Sequence, residues 1–287
     1  MFADLHLHTC FSDGTFTPEE VAERGSRLGL VAMALTDHDT VEGCERMAAA
    51  CKERGIESAS GIELTAEREG CEVHLLGYFV DIRCPKLLAE TRRFQSVRQS
   101  RIFEIVANLN RLGIPLRAEQ VFELANCRSP GRPHVGRALV QDGYCETLDE
   151  AFDRFLKKHR PAWVPKFKIS AFDAMDLVHN ADGLAVMAHP GLNRSDDFIP
   201  MLVEHGLDGI ECYHSKHTPS MTARYLQIAA QYGLLVTGGS DCHGFSKGKP
   251  LIGTAKVPAV RWRKLKEAWE NRRKKQSTAQ TVDGVSC

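Results

Sequence analysis

Short apolar runs alternate with amphipathic stretches along most of the chain. Phe2–His8, Leu30–Thr36, Glu57–Leu64, Val73–Phe79, Leu184–Ala188, Gly209–Tyr213 and Leu234–Gly238 have the length and aliphatic content of strands. The segments between them carry helical periodicity, so the pattern predicts repeated βα units and an α/β fold. Thr17-Pro18-Glu19-Glu20 marks one helix start, with a capping threonine, proline at the first helical position and acids in the first turn. From about Thr91 to Pro161 the alternation stops. Val97, Ile102, Ile105, Val106, Leu109 and Leu112 recur at helical spacing, Leu139 and Phe152–Leu156 indicate further helices, and Gly131-Arg132-Pro133 marks a turn. The expected organisation is a barrel in two parts, residues 1–90 and 162–275, interrupted by a helical insert over 91–161. Residues 276–287 lack apolar periodicity and read as a disordered tail. Trp262, Leu265 and Trp269 give the preceding helix an apolar stripe, and Arg261, Arg263, Lys264 and Lys266 belong to a solvated face.

Composition narrows the class. The 287 residues are 43% hydrophobic, enough to bury a sizeable core, and 37 Lys plus Arg balance 37 Asp plus Glu. A net charge of zero argues against coating long nucleic acid by bulk electrostatics, so no stable duplex partner is expected. The longest apolar runs are too short to span a bilayer. Met1–Asp4 leads straight into a polar motif without the pattern of a signal peptide, so a cytoplasmic location is expected. The ten cysteines are scattered and form no C-x-x-C pair, which fits reduced, mostly buried thiols.

Chemistry is concentrated in histidines and acids. In Asp4-Leu5-His6-Leu7-His8 the two-residue period of a strand turns His6 and His8 to one face. Asp13 follows on the loop, His38 lies just after the second apolar run, Glu63 ends the third, and His74 sits in the fourth. His189 follows Leu184–Ala188, and Asp241 and His243 follow Leu234–Gly238. In a closed parallel barrel the carboxyl ends of the strands converge on one face, where such folds build their sites. Nitrogen and oxygen donors without thiolates suit manganese, iron or zinc. Asp37 and Asp39 flank His38 and are expected to orient ligands from outside. Glu211, His214 and His217 lie near the same face with no assigned role, and Lys166 and Lys168 are left open as phosphate contacts. His159, His179 and His205 are expected to be structural or exposed.

These residues resemble the PHP family, named for polymerase and histidinol phosphatase. The matching stretches are Asp4–His8, Ser12–Gly14, Thr36–Thr40, Gly61–Leu64, Val73–Leu75, Ala188–Gly191 and Gly239–Gly244, in family order. The resemblance implies a distorted (βα)7 barrel with two or three divalent ions, manganese foremost and zinc or iron as alternatives. It implies one ion held by His6, His8, Glu63 and Asp241. A second would share Glu63 with His74 and His189, and a third would take Asp13, His38 and His243. Gly131–Val140 resembles the motif of a subgroup with a small helical cap over the site, which includes a nucleoside 3′,5′-bisphosphate phosphatase and an RNase AM-like 5′–3′ exoribonuclease. That subgroup implies Arg98, Arg101, Arg132 and His134 as substrate contacts, and guanidinium forks suit phosphate oxygens.

The expected activity is therefore hydrolysis of phosphate esters of nucleotides, or of 5′-end nucleotides of short RNA or DNA, by a metal-bridged hydroxide. Asp13, His38 and His243 are expected to assist the leaving oxygen. A histidinol-phosphate-type phosphatase, a metal-dependent amidohydrolase and a non-catalytic sensor are the alternatives. Amidohydrolase barrels also begin with H-x-H but usually bridge their metals with a modified lysine, where this chain has Glu63.

Overall fold

The computed structural model describes residues 1–193 and 196–283. The chain opens with β1 (Phe2–Leu7), α1 (Pro18–Arg27), β2 (Leu30–Leu35), α2 (Cys44–Glu53) and β3 (Glu57–Ala59). Then come β4 (Gly61–Arg68), β5 (Cys71–Tyr78) and the long α3 (Pro85–Arg111). Next are α4 (Ala118–Ala125), α5 (Arg132–Gln141) and α6 (Leu148–Ala151), which continues into a π-helical turn at Phe152–Leu156. The chain returns through β6 (Ile169–Ser170), α7 (Ala171–Asn180), β7 (Leu184–Met187), α8 (Pro190–Asn193) and α9 (Ile199–Glu204). It finishes with β8 (Gly209–His214), α10 (Pro219–Tyr232), β9 (Leu235–Gly239), β10 (Val257–Pro258) and α11 (Ala259–Asp283).

Among the described residues the strands form two sheets, β10-β1-β2-β3 and β6-β4-β5-β7-β8-β9. Isolated parallel bridges, Leu7 with Cys242 and His38 with Glu63, join them at the rim where the expected site residues lie. The run expected as one strand, Glu57–Leu64, is split between the sheets at Ser60. Gly61 makes the switch: a Cβ there would sit 2.6 Å from the Leu35 carbonyl oxygen. The β4–β5 hairpin turns at Glu69-Gly70, both with positive φ (51° and 79°), so β5 runs antiparallel to β4 and β7. Apolar β1, β2 and β7 are almost wholly buried, and α1 starts with the expected capping box of Thr17 and Glu20.

The insert has its own apolar core. Ile102, Ile105, Val106 and Leu109 of α3 pack with Val121 of α4 and with Val135, Ala138 and Leu139 of α5. The first half of the same helix, at Leu87 and Phe94, packs into the sheet core instead. The expected boundary at residue 91 therefore falls inside α3, because one unbroken helix serves both cores. Trp262 and Leu265 bury the stripe of α11 against Ala3, Leu5 and Tyr78. Residues 276–283, expected in a disordered tail, continue α11, and residues 284–287 lie outside the described ones.

Candidate metal centre

All nine expected ligands meet at the rim where the two sheets join. Glu63 is the hub. Its Oε2 lies 3.3 Å from His6 Nε2, 3.2 Å from His8 Nε2 and 3.1 Å from His38 Nδ1, and its Oε1 lies 2.6 Å from His74 Nδ1 and 3.1 Å from His189 Nε2. Asp241 Oδ1 sits 3.6 Å from His6 Nε2, 3.3 Å from His8 Nε2 and 3.5 Å from His243 Nδ1. Asp13 Oδ1 is 3.2 Å from His243 Nε2 and 4.0 Å from His38 Nε2. Ligand atoms within 4.8 Å of one another fall into the groups His6-His8-Glu63-Asp241, Glu63-His74-His189 and His8-Asp13-His38-His243. A further group, His6-Glu211-His214, is closed in the same sense.

The backbone explains this convergence. β1 turns His6 and His8 inward on alternate positions, and β9 approaches β1 so closely that a Cβ on Gly239 would lie 2.3 Å from His6 N. Asp241 N–H donates to the His6 carbonyl at 2.9 Å. His189 and Asp241 hold positive φ (25° and 53°), a strained choice for residues with side chains that is concentrated at functional sites. His74 reaches the rim by a different route from the one expected. It is paired with Thr65 in the antiparallel hairpin, so it comes from the first half of its strand rather than from a carboxyl end.

Burial and charge favour a cation here. Burial alone would raise the Glu63 carboxyl, yet His38, His74 and His6 hold it well below the usual range. Asp13 and Asp241 are likewise held well down against burial, His243 being the foremost cause for each. Burial opposes a charged His8, but Asp241 and Glu63 outweigh it and raise the imidazole to about 9. Protons thus offset the acids, a task that bound dications perform when they displace those protons. Both His8 ring nitrogens, Asp13 Oδ1, His38 Nδ1 and His189 Nδ1 are buried without a hydrogen-bond partner, unlike most buried polar atoms. Ligand atoms of His6, His8, Glu63 and Asp241 stand 3.2–3.6 Å apart in the four closest pairs, near enough for one divalent ion to reach all four. The residues fit metal ions.

A cavity of about 370 Å³ opens above the cluster, within the roughly 300–1,000 Å³ of small-ligand pockets. Asp13, His38, Glu63, His74, His189, Asp241 and His243 form its floor, and Arg98, Arg101, Arg132, Lys157 and Lys166 bring cations to its walls. Arg98 and Arg101 are buried rather than solvated. Arg98 pairs with Asp39 at 2.7 Å, and Arg101 donates to the Val164 carbonyl at 2.8 Å. Arg132 donates to the Leu156 carbonyl at 3.1 Å. His134 takes another role from the contact expected of it. It is buried behind the pocket, where its Nδ1 accepts the Gly131 N–H at 3.0 Å and caps α5. Burial lowers that imidazole to about 4, so it stays neutral.

Asp37 does what was expected of an outer group. It accepts from Thr9 N–H at 2.7 Å and from the Ser12 hydroxyl at 2.5 Å, fixing the loop between His8 and Asp13. Asp39 is spent on Arg98 instead. His217 turns its Nδ1 to the Cys212 carbonyl, and His179 and His205 pair with Asp208 and Asp176 away from the site. Two further residues reach the site without having been expected there: Glu72, 3.0 Å from His74 Nε2, and Arg137, which donates to the Asp13 carbonyl at 2.6 Å. The signal for Arg137 was its place in the same Gly131–Val140 motif.

The PHP domain pattern matches residues 4–157. A phosphoribosyl 1,2-cyclic phosphate 1,2-diphosphodiesterase from Eggerthella lenta is 34% identical, over 90% of this chain and 100% of that protein. A 5′-3′ exoribonuclease from Haemophilus influenzae is 33% identical over 84% and 89% of the two chains. A 3′,5′-nucleoside bisphosphate phosphatase from Chromobacterium violaceum is 31% identical over 91% and 95%. A crystal structure from Bifidobacterium adolescentis, described as a metal-dependent phosphoesterase, superposes with a TM-score of 0.85 at 33% identity, covering 92% and 94%.

Proposed function

The chain belongs to the PHP domain family, a metal-dependent phosphoric ester hydrolase by its relatives, and we propose that its substrates are nucleotides. The leading substrate is a nucleoside 3′,5′-bisphosphate, with 5′-end nucleotides of short RNA or DNA as the related polymer activity. One observation carries this reading: the Glu63-centred donor set and a wall of cations share a single small cavity. In it, His6, His8, Glu63 and Asp241 would hold one ion, Glu63, His74 and His189 a second, and Asp13, His38 and His243 a third, on a distorted barrel. Manganese is the expected metal. When bound, the ions supply polarising charge and a water of lowered pKa.

The chain's own residues supply the rest. Arg101, Arg132 and Lys166 face a second phosphate, and Leu148, Phe152 and Leu192 give the mouth an apolar side suited to a base. Asp13, His38 and His243 close the end of the floor where the leaving oxygen departs. Arg98, already paired with Asp39, braces that wall more than it binds. Among the described residues no helix is long and apolar enough to cross a membrane, and the free cysteines fit the expected cytoplasmic compartment.

The deciding experiment compares kcat/KM of the manganese-loaded protein on adenosine 3′,5′-bisphosphate, a 5′-phosphorylated oligoribonucleotide and a ribose 1,2-cyclic phosphate. The bisphosphate should be fastest. Turnover of the cyclic diester alone would overturn the reading. Arg132→Ala should raise KM for the bisphosphate by about tenfold, the worth of one charged phosphate contact, and leave ion content unchanged. Loss of ions in that variant would make Arg132 structural.

A pH profile tests Lys166. Burial and the nearby Arg98 lower its ammonium to about 8. Below that pH it is charged and attracts phosphate; above it the charge is lost. kcat/KM should therefore fall as pH rises through about 8 in the wild type, and Lys166→Met should lack that limb. Identical alkaline limbs in the two proteins would remove Lys166 from binding.

A further inference from the structure

Strand β8 offers no ligand to the three proposed ion groups, yet Glu211, midway along it, touches members of two of them. Glu211 is wholly buried there. Its Oε1 and Oε2 lie 3.0 and 3.2 Å from His6 Nδ1, and Oε2 also accepts the His189 backbone N–H at 2.8 Å. Three residues on, His214 accepts the Lys216 N–H on Nδ1 at 3.1 Å, which leaves the proton of its neutral ring on Nε2. That atom is buried and 3.7 Å from Asp241 Oδ2.

We propose that Glu211 is a positioning residue that organises two ion sites at once, fixing the tautomer of His6 and the backbone of His189. The inference rests on the reading that these groups hold ions. A carboxylate at Nδ1 keeps the proton there and presents the Nε2 lone pair, which faces Glu63 and Asp241 at 3.3 and 3.6 Å. His189 belongs to the second group, and its φ of 25° is a conformation that its own side chain disfavours. The bond from its N–H to Glu211 helps hold that turn, and with it the direction of the ring. One carboxylate thus couples His6 of the first group to His189 of the second.

The geometry separates this role from direct ligation. His6, Glu211 and His214 have ligand atoms close enough for an ion of their own. Both Glu211 oxygens, however, already serve His6 and His189, and a ligand role would strip His6 of the contact that aims it. Among the described residues no hydrogen bond or ion pair joins Asp13, His38 or His243 to Glu211, so the third group should not depend on it.

The test titrates metal-free wild type, Glu211→Gln and Glu211→Ala with Co(II) and Mn(II). It reads ion number, affinity, the visible Co(II) spectrum and the circular dichroism of each protein. Glutamine keeps the shape but turns an NH2 group on one of the two N–H donors. Two ions should bind about 10- to 100-fold more weakly in Glu211→Gln, with an altered Co(II) spectrum. The third ion should keep its wild-type affinity. Equal affinity for every ion would overturn the inference, and so would a uniform loss of all ions, which marks a merely structural residue. A fourth ion in the wild type that both variants lose would make Glu211 a ligand and overturn it too. Should Glu211→Ala fail to fold, the isosteric glutamine variant decides alone. A wild type that binds no ion sinks the metal-centre reading itself, whereas a wild type that binds ions as Glu211→Gln does sinks only this inference.

Discussion

Glu63→Gln should lower kcat/KM by about 10³-fold or more and remove two ions per chain, while the protein stays folded. The expectation follows from the position of one carboxylate among five imidazoles, His6, His8, His38, His74 and His189, all within 3.3 Å. Glutamine matches its shape but replaces an oxygen by an NH2 group, which cannot ligate, and removes the negative charge that both ions would share. Bound ions contribute several kcal/mol of charge stabilisation to such reactions, and about 4 kcal/mol corresponds to about 10³ in rate. Steady-state kinetics alongside metal analysis checks this. Activity within tenfold of the wild type, at full ion content, would show that Glu63 does not bridge.

The second large effect concerns packing. Gly239→Ala should destabilise the protein by about 3 kcal/mol and weaken ion binding at His6. A Cβ at this position would lie 2.3 Å from both His6 N and Cβ, and 2.7 Å from its Cα. Two of those are backbone atoms of a buried strand and the third is a Cβ fixed to it, so none has a rotamer to retreat into. β9 would have to move away from β1, taking the Asp241 N–H from the His6 carbonyl and spreading the ligands the two strands contribute. Thermal unfolding and ion titration report the two consequences separately. An unchanged melting temperature would mean that the strands are farther apart than they stand here.

The meeting of the nine expected side chains was legible in the sequence in part because strand periodicity is rigid: in Asp4–His8, nothing but a common face is available to His6 and His8. Strand direction was harder to read. His74 looked like a residue of another parallel strand, because the turn at Glu69-Gly70 puts a glutamate, not the usual asparagine, aspartate or glycine, at its first positive φ. The apolar run on either side of it reads the same in both directions. Arg98 and Arg101 were visible as neighbours on a helix, but whether they point to water or to a pocket depends on what covers the helix, and that is tertiary information. His134 came from a motif whose local service, capping α5, leaves the same residue signature as a substrate contact. Glu211 could be placed near the ligand face from the sequence, but not given a role. Its role exists only where β8 passes under β1 and the His189 turn, more than twenty residues away along the chain from either.

The continuous α3 has a consequence for the cavity it lines. At 1.5 Å per residue its 27 residues reach about 40 Å, and it is a single strut set in two masonries. Arg101 clamps the returning stretch at Val164 as well, so the roof is tied down on both sides. Swinging the roof aside would mean snapping a helix in mid-span. A roof of that kind holds Arg98 and Arg101, which lie midway along the helix, at a fixed height over the cavity they line.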